Sequence, residues 1–319
     1  MKKDSILSFF KNIPGIVYAL LILVALLSIF VPDFRTIGNI FNITQQGAVL
    51  AIIAMASCII TVIGGIDLSL GAVLSLSGMV SALLLKQNCH ILIAILGGIV
   101  SGLVCGIITG IIIAVGRIPS FVATLGMMSM CMGVALGMAG GATIAGLPDN
   151  FYNIANGSIG PVPYTLIICL LCYLILNYLM KYRKFGLYVY ALGGNPLAAR
   201  CCGINNRLMS LIVYGLAGAL SGLAGVIMAS RLNCGHPTVG IGYEFEAVVA
   251  VVVGGSPLEG GWGSLGRTLV GVLVIQVLKN GLSLLGYPPY WQMAIVGVGV
   301  IVALVMANMA FRDAKGVQV

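Results

Sequence analysis

Long apolar runs separated by short polar breaks dominate this chain. A helix needs about 20 mostly apolar residues to cross a bilayer. Such runs fall at residues 13–31, 43–63, 68–86, 91–115, 120–140, 163–180, 210–230, 265–286 and 290–310, with a shorter one at 246–256. The pattern predicts an all-α polytopic membrane protein with about ten transmembrane helices. The eighth run is too short to cross unaided, so it reads as a half-helix, a re-entrant segment or a helix with a polar start. The first run is followed by Pro32 and Asp33 and not by a small-residue cleavage site, so it is expected to persist as a helix.

Within the runs, glycine recurs every fourth residue. Gly98, Gly102, Gly106 and Gly110 do so in the fourth, Gly133, Gly137 and Gly141 in the fifth, and Gly218 with Gly222 in the seventh. Each series predicts a smooth groove where two helix backbones approach closely. Two stretches, Gly64 to Gly71 and Gly254 to Gly261, share the pattern G-G-x-x-L-x-x-G, and each follows a run rich in valine and isoleucine. Transport folds are often built from two related halves. The span count puts both copies at the same, inner side, where an inverted repeat would separate them. Either the echo is local or the count near residue 250 is wrong.

Composition strengthens the membrane reading. Of 319 residues 60% are hydrophobic and 8% charged, and the mean hydropathy is +1.12. An average soluble domain carries about a quarter charged residues. No polar linker divides the chain, so residues 1–319 read as one membrane domain. With the N-terminus inside, twelve basic residues (Lys2, Lys3, Lys11, Arg117, Lys181, Arg183, Lys184, Arg200, Arg207, Arg267, Arg312, Lys315) fall on the inner side and three (Arg35, Lys86, Arg231) outside. Lys279 lies near the outer end of the ninth run, where it can snorkel. This positive-inside bias predicts that both termini are cytoplasmic. The net charge of +8 is therefore a topology signal, and no basic soluble face points to nucleic acid.

Catalytic chemistry is poorly supplied. Eight carboxylates and two histidines are scattered, with no catalytic motif, no metal-ligand cluster and no phosphate-cradling G-x-x-x-x-G-K-[ST] loop. No bound cofactor is expected, and uphill transport would need a partner or an ion gradient. The cysteines read mostly as small hydrophobes; Cys89 and Cys234 share the outer side, but free thiols are the favoured reading. A charged Asp at a helix centre costs about 2.5–3.5 kcal/mol, so Asp67 needs a reason: a substrate path or gate, or an N-cap of a helix starting at Leu68. The candidates for a translocation path or gate are Gln45, Gln46, Gly64, Gly65, Asp67, Ser69, Glu246 and Asn280. In the inner loop, Asn195 before Pro196 predicts a capped helix start. Gly203 predicts its left-handed stop, leaving about two turns, roughly 10 Å. So short a helix must dock on something.

Gly193 to Asn205 resembles the coupling loop of ABC importer permeases, in the G-G-N-x-x-A-A-x-x-x-G-I form of the ribose-type, or monosaccharide, family. The resemblance continues in order through Gly64 to Gly71, Ile159 to Pro163, Ala229 to Leu232, His236 to Glu244, Val252 to Gly255 and Asn280 to Gly286. Lys279 stands where that family usually has a neutral residue. The resemblance implies a non-enzymatic permease subunit for a small sugar in the bacterial cytoplasmic (inner) membrane. It implies a second permease copy, identical or a close paralogue, and a periplasmic or extracellular sugar-binding protein. ABC ATPase subunits would hold ATP and Mg. Gly194, Asn195, Ala198, Ala199, Arg200, Gly203, Ile204 and Asn205 would form the ATPase-coupling loop. The sugar itself stays open among pentoses, hexoses and small polyols. The rivals are an ion-gradient-driven secondary transporter and an integral membrane enzyme.

Overall fold

A computed structural model describes residues 15–295 together with 297 and 298. Most of the last apolar run and the basic residues Lys2, Lys3, Lys11, Arg312 and Lys315 lie outside these residues. The helices are α1 (Gly15–Phe30), α2 (Ile37–Val62), α3 (Leu70–Lys86), α4 (Ile91–Gly116), α5 (Ser120–Gly137), α6 (Asp149–Asn156), α7 (Tyr164–Tyr182), α8 (Lys184–Gly194), α9 (Pro196–Cys201), α10 (Asn206–Leu232), α11 (Tyr243–Val253) and α12 (Leu265–Leu284). Among the described residues six helices, α2, α4, α5, α7, α10 and α12, are long and apolar enough to cross a membrane. Two short strand pairs, β1 (Ile144–Ala145) with β4 (Cys234–Gly235) and β2 (Ser158–Ile159) with β3 (Val162–Pro163), tie loops at the end where α6 lies. The opposite end carries α8 and α9.

Helix α2 runs through the middle of the bundle. Val49, Ile52, Ile53, Ala54, Met55, Ile59 and Ile60 have no exposed surface, and α3, α7, α10, α11 and α12 pack around it. A helix apolar on every side is stable only when enclosed. By contrast α4 and α7 face outward on one side, with Leu96, Val100, Val104, Leu170, Leu171 and Leu174 exposed.

The fourth-run glycines form the expected seam, and their partner is α10. A Cβ on Gly102 would overlap the carbonyl oxygen of Gly218, and one on Gly106 would overlap that of Tyr214. The contact is reciprocal, since a Cβ on Gly218 would lie 2.8 Å from Gly106 Cα. The fifth-run series behaves otherwise: nothing lies within 4 Å of a Cβ on Gly133, Gly137 or Gly141. Helix α5 instead turns Ala123, Met127, Cys131 and Ala135 inward, toward α3. These side chains also recur every fourth residue and fill the interface, so the glycine face is left outside.

Two crossings are broken. After α2 the chain returns in a non-helical stretch, 63–69, and α3 begins only at Leu70, already buried. After α10 it descends without helix from Cys234 to Gly242, with Gly235 against Ala82 and Met79 and Gly240 against Gly71 and Ser75. Helix α11 then covers the remaining depth with 11 residues, about 16 Å. The eighth run is thus a short helix that starts before the run, at Tyr243, with Glu244 and Glu246 in its first turn. The loop between α7 and α10 holds two helices, of which α8 was not apparent in the sequence.

If the α4–α10 seam is as close as this, Gly102→Leu or Gly106→Leu should destabilise the purified chain by about 1–3 kcal/mol through overpacking. Gly133→Leu should leave the thermal midpoint near that of the wild type. Thermal unfolding of the three variants in one detergent checks the contrast.

Candidate translocation and coupling sites

The two broken crossings meet inside the bundle. Helices α3 and α11 start from a common level and run in opposite directions, with Gly71 and Gly240 in backbone contact, so close that a Cβ on either would overlap the other's carbonyl oxygen. Asp67, 4% exposed, lies just before α3. Its Oδ1 accepts from Ser69 N at 2.7 Å and Ser69 Oγ at 2.6 Å. Asp67 is therefore not the N-cap of a helix starting at Leu68. The helix starts two residues later, Ser69 occupies the cap position without a side-chain cap bond, and Asp67 closes the turn ahead of it. Ser120 Oγ accepts from Ile66 N at 3.2 Å, and Ser221 Oγ donates to Leu70 O.

Glu244, 3% exposed, occupies the matching place at the start of α11, where its Oε1 accepts from Gly242 N at 3.0 Å. Ser75 Oγ accepts from Gly240 N at 2.8 Å. Each carboxylate thus sits at the positive end of a helix dipole, where a negative charge is favourable. The correspondence extends to the sequence. Thr61-Val62-x-x-Gly65-x-Asp67-Leu68 matches Thr238-Val239-x-x-Gly242-x-Glu244-Phe245 at one constant offset, and the two copies lead into antiparallel half-helices. The repeat is inverted, and its second copy is here, not at Gly254 to Gly261. That segment packs beside the first break instead: Gly261 N donates to Val62 O at 2.8 Å, and a Cβ on Gly64 would lie 3.1 Å from Glu259 O.

Across the junction from Leu68, Lys279 Nζ and Glu246 Oε1 form an ion pair at 2.7 Å. Leu68, Phe245, Glu246, Lys279, Gln292 and Met293 are among the walls of a cavity of about 520 Å³. Gly64, Gly65, Asp67, Ser69 and Glu246 therefore lie in and around one junction. The other three candidates lie elsewhere, in amide bonds between helices. Gln45 Nε2 donates to Ala155 O at 3.1 Å, Gln276 Nε2 to Gln46 Oε1 at 3.1 Å, and Asn280 and Asn39 exchange two bonds. Lys279, Glu244 and Gln292 were missed as site residues. The repeated T-V-x-x-G-x-acid pattern could have shown Glu244.

Helix α9 has the expected cap. Asn195 Oδ1 accepts from Leu197 N at 3.0 Å and Ala198 N at 3.1 Å, and Pro196 is the first helical residue. At its end Gly203 N donates to Arg200 O and Ile204 N to Ala199 O, a Schellman pair that requires the left-handed φ of +82° at Gly203. Ala199 is buried against its own bundle and is not available to a partner. Leu197, 77% exposed, points outward with Ala198, Arg200 and Cys201. Asn205 Oδ1 caps α10 by accepting from Leu208 N. Arg117, Arg200 and Arg207 line a hollow beside the loop. A Cβ on Gly194 would meet nothing, whereas Gly193 is packed so tightly that a Cβ there would overlap Val62 O. Tyr190 Oη donates to Gly263 O at 2.9 Å, and burial pushes its phenol above the ordinary range, so the donor is kept. Cys89 and Cys234 are free thiols.

The Asp67 turn makes a prediction that needs no transport assay. Asp67→Ala removes the acceptor of two buried hydrogen bonds and should destabilise the purified chain by about 1–3 kcal/mol. Asp67→Asn keeps an acceptor oxygen and should cost clearly less. Thermal unfolding of the two variants side by side is the check.

Residues 39–304 match the family model described as branched-chain amino acid transport system / permease component. The chain is 40% identical to the ribose import permease protein RbsC of Escherichia coli K12 over 294 residues, 91% of this chain and 92% of that one. Against RbsC of Bacillus subtilis 168 the identity is 40%, covering 90% of each chain. Against the D-allose transport system permease protein AlsC of E. coli K12 it is 33%, covering 95% and 94%. No solved structure matches the chain. The family match over residues 39–304 and the 40% identity to ribose import permeases over about nine-tenths of the chain mean that this chain belongs to the permease family of transport systems, in its ribose-type branch.

Proposed function

We propose that this chain is the membrane-spanning subunit of an ATP-driven ABC importer that moves a small sugar across the bacterial cytoplasmic membrane. The observation that carries this is the extended similarity to ribose and allose permeases. It favours a transport component over an enzyme and over an ion-gradient-driven transporter. In this reading a sugar-binding protein delivers the solute on the outer side and ABC ATPase subunits work on the inner side. A second permease copy, identical or a close paralogue, completes the pore. The chain binds no cofactor or metal of its own, and ATP with Mg stays on the ATPase.

The same reading fixes the topology. Residues 1–319 form one domain of ten membrane segments, α11 among them as a half-helix, with both termini in the cytoplasm. It is supported by Arg117, Arg200 and Arg207 lining one hollow beside α9 and by Lys181 and Arg183 lining another with Tyr190 of α8, a basic end as the positive-inside rule requires. Helix α9 is then the coupling helix. Its exposed face of Leu197, Ala198 and Arg200 would meet the ATPase, while Ala199 anchors it to the bundle.

Three outcomes test this. The purified chain alone should hydrolyse no ATP. Ala198→Glu puts a charge on the exposed face without touching the bundle; it should abolish both ATPase pull-down and ATP-driven ribose uptake in proteoliposomes, while membrane insertion is kept. Gly203→Pro should do the same by breaking the turn. Full ATPase binding and coupled uptake in both variants would remove the coupling role of α9.

A further inference from the structure

The ion pair between Glu246 and Lys279 is not explained by folding alone. Ionisable side chains within membrane segments are rare and face a bundle interior or a water-filled cavity. Here side-chain exposures of 18% for Glu246 and 28% for Lys279 turn the pair toward the cavity at the junction of the half-helices. Its volume of about 520 Å³ falls in the range of small-molecule pockets, which are mostly apolar with a few placed polar groups. Leu68 and Phe245, equivalent positions of the inverted repeat, both line it. The pocket therefore lies where the two halves meet, the usual place of a solute site in transport folds.

We propose that this cavity binds a neutral sugar during its passage, with Glu246, Lys279 and Gln292 as hydrogen-bonding partners of its hydroxyl groups. The proposal rests on the reading of the chain as a sugar permease and names the place of contact. A carboxylate paired with an ammonium has no net charge, so the site suits a neutral polyhydroxylated solute better than an anion or a cation. The pair also has bonding capacity left over. The ammonium carries three donors of which Glu246 Oε1 takes one, and Gln292 Nε2 donates to Tyr287 O, leaving its carbonyl oxygen. The apolar walls, Leu68, Phe245 and Met293, match the C–H faces of a sugar ring.

Two measurements test the site, with D-ribose as the probe. With the nine native cysteines replaced, Leu68→Cys and Phe245→Cys should each react with a membrane-impermeant methanethiosulfonate reagent in the permease assembled with its ATPase. Saturating ribose should remove most of that labelling. Separately, the double variant Glu246→Leu with Lys279→Leu should still be pulled down with the ATPase, but lose ATP-driven ribose uptake about tenfold or more, as when a site loses its hydroxyl partners. A permease that reacts at Leu197→Cys but at neither Leu68→Cys nor Phe245→Cys would put the cavity against lipid and overturn the site. So would labelling that ribose does not affect, or full uptake by the double variant. Failure of the importer reading looks different: wild-type uptake would not depend on ATP, while ribose would still protect the two cysteines.

Discussion

Everything in this bundle depends on backbones that touch. Lipid is as apolar as leucine, so no hydrophobic force draws membrane helices together, and close packing of small residues must supply the attraction. The contact of α4 with α10 does this along its length: Gly98 faces Ser81 and Val226, Gly102 faces Gly218 and Gly222, and Gly106 faces Tyr214 and Gly218. The same close approach extends from α10 to α3, where a Cβ on Gly225 would overlap Leu74 O. Three helices are thereby fixed as one slab, with α2 enclosed against it.

The slab makes two broken crossings tolerable. Non-helical backbone at membrane depth survives only where its polar groups find partners within the protein. Along the first break Ser120, Ser221 and Asp67 supply them; along the second, Ser75 and Glu244 do. Ser120, Ser221 and Ser75 lie on neighbouring helices and reach the backbone only because those helices are close, whereas Asp67 and Glu244 bond backbone two residues away in their own segments. The two half-helix starts can then meet at Gly71 and Gly240, which opens the cavity with the Glu246–Lys279 pair beside them.

The loop helices touch the same architecture from the α8–α9 end. Gly193, at the end of α8, packs on Val62 and Gly261, where the first break begins and the loop before α12 returns. Helix α9 continues from α8 through Asn195, so one short connection joins its exposed face to the base of the break. Compactness here comes again from a glycine against a carbonyl oxygen.

Much of this was legible in the sequence because it depends on local or one-dimensional signals. Apolar run length located nine helical segments among the described residues to within several residues of their ends. Asn195, Pro196 and Gly203 placed α9 because capping is settled by neighbours two or three residues away. The spacing of Gly98 to Gly110 foretold a seam, since a four-residue period puts small residues on one face wherever the helix goes. The sequence could not say which face meets a neighbour. Gly133 and Gly137 have the same spacing and lie open because α3 takes the opposite side of α5. Gln45, Gln46 and Asn280 each have a hydrogen-bond partner on another helix that only the fold reveals. Glu244 is marked only by its likeness to Asp67 in the T-V-x-x-G-x-acid pattern, Lys279 carries no local sign of the carboxylate it pairs with, and Ala199 none that it turns inward. Helix geometry is decided within a few residues of the chain, whereas the partners of a polar or small side chain are decided by segments a hundred or more residues away. Those contacts exist only once the helices have packed.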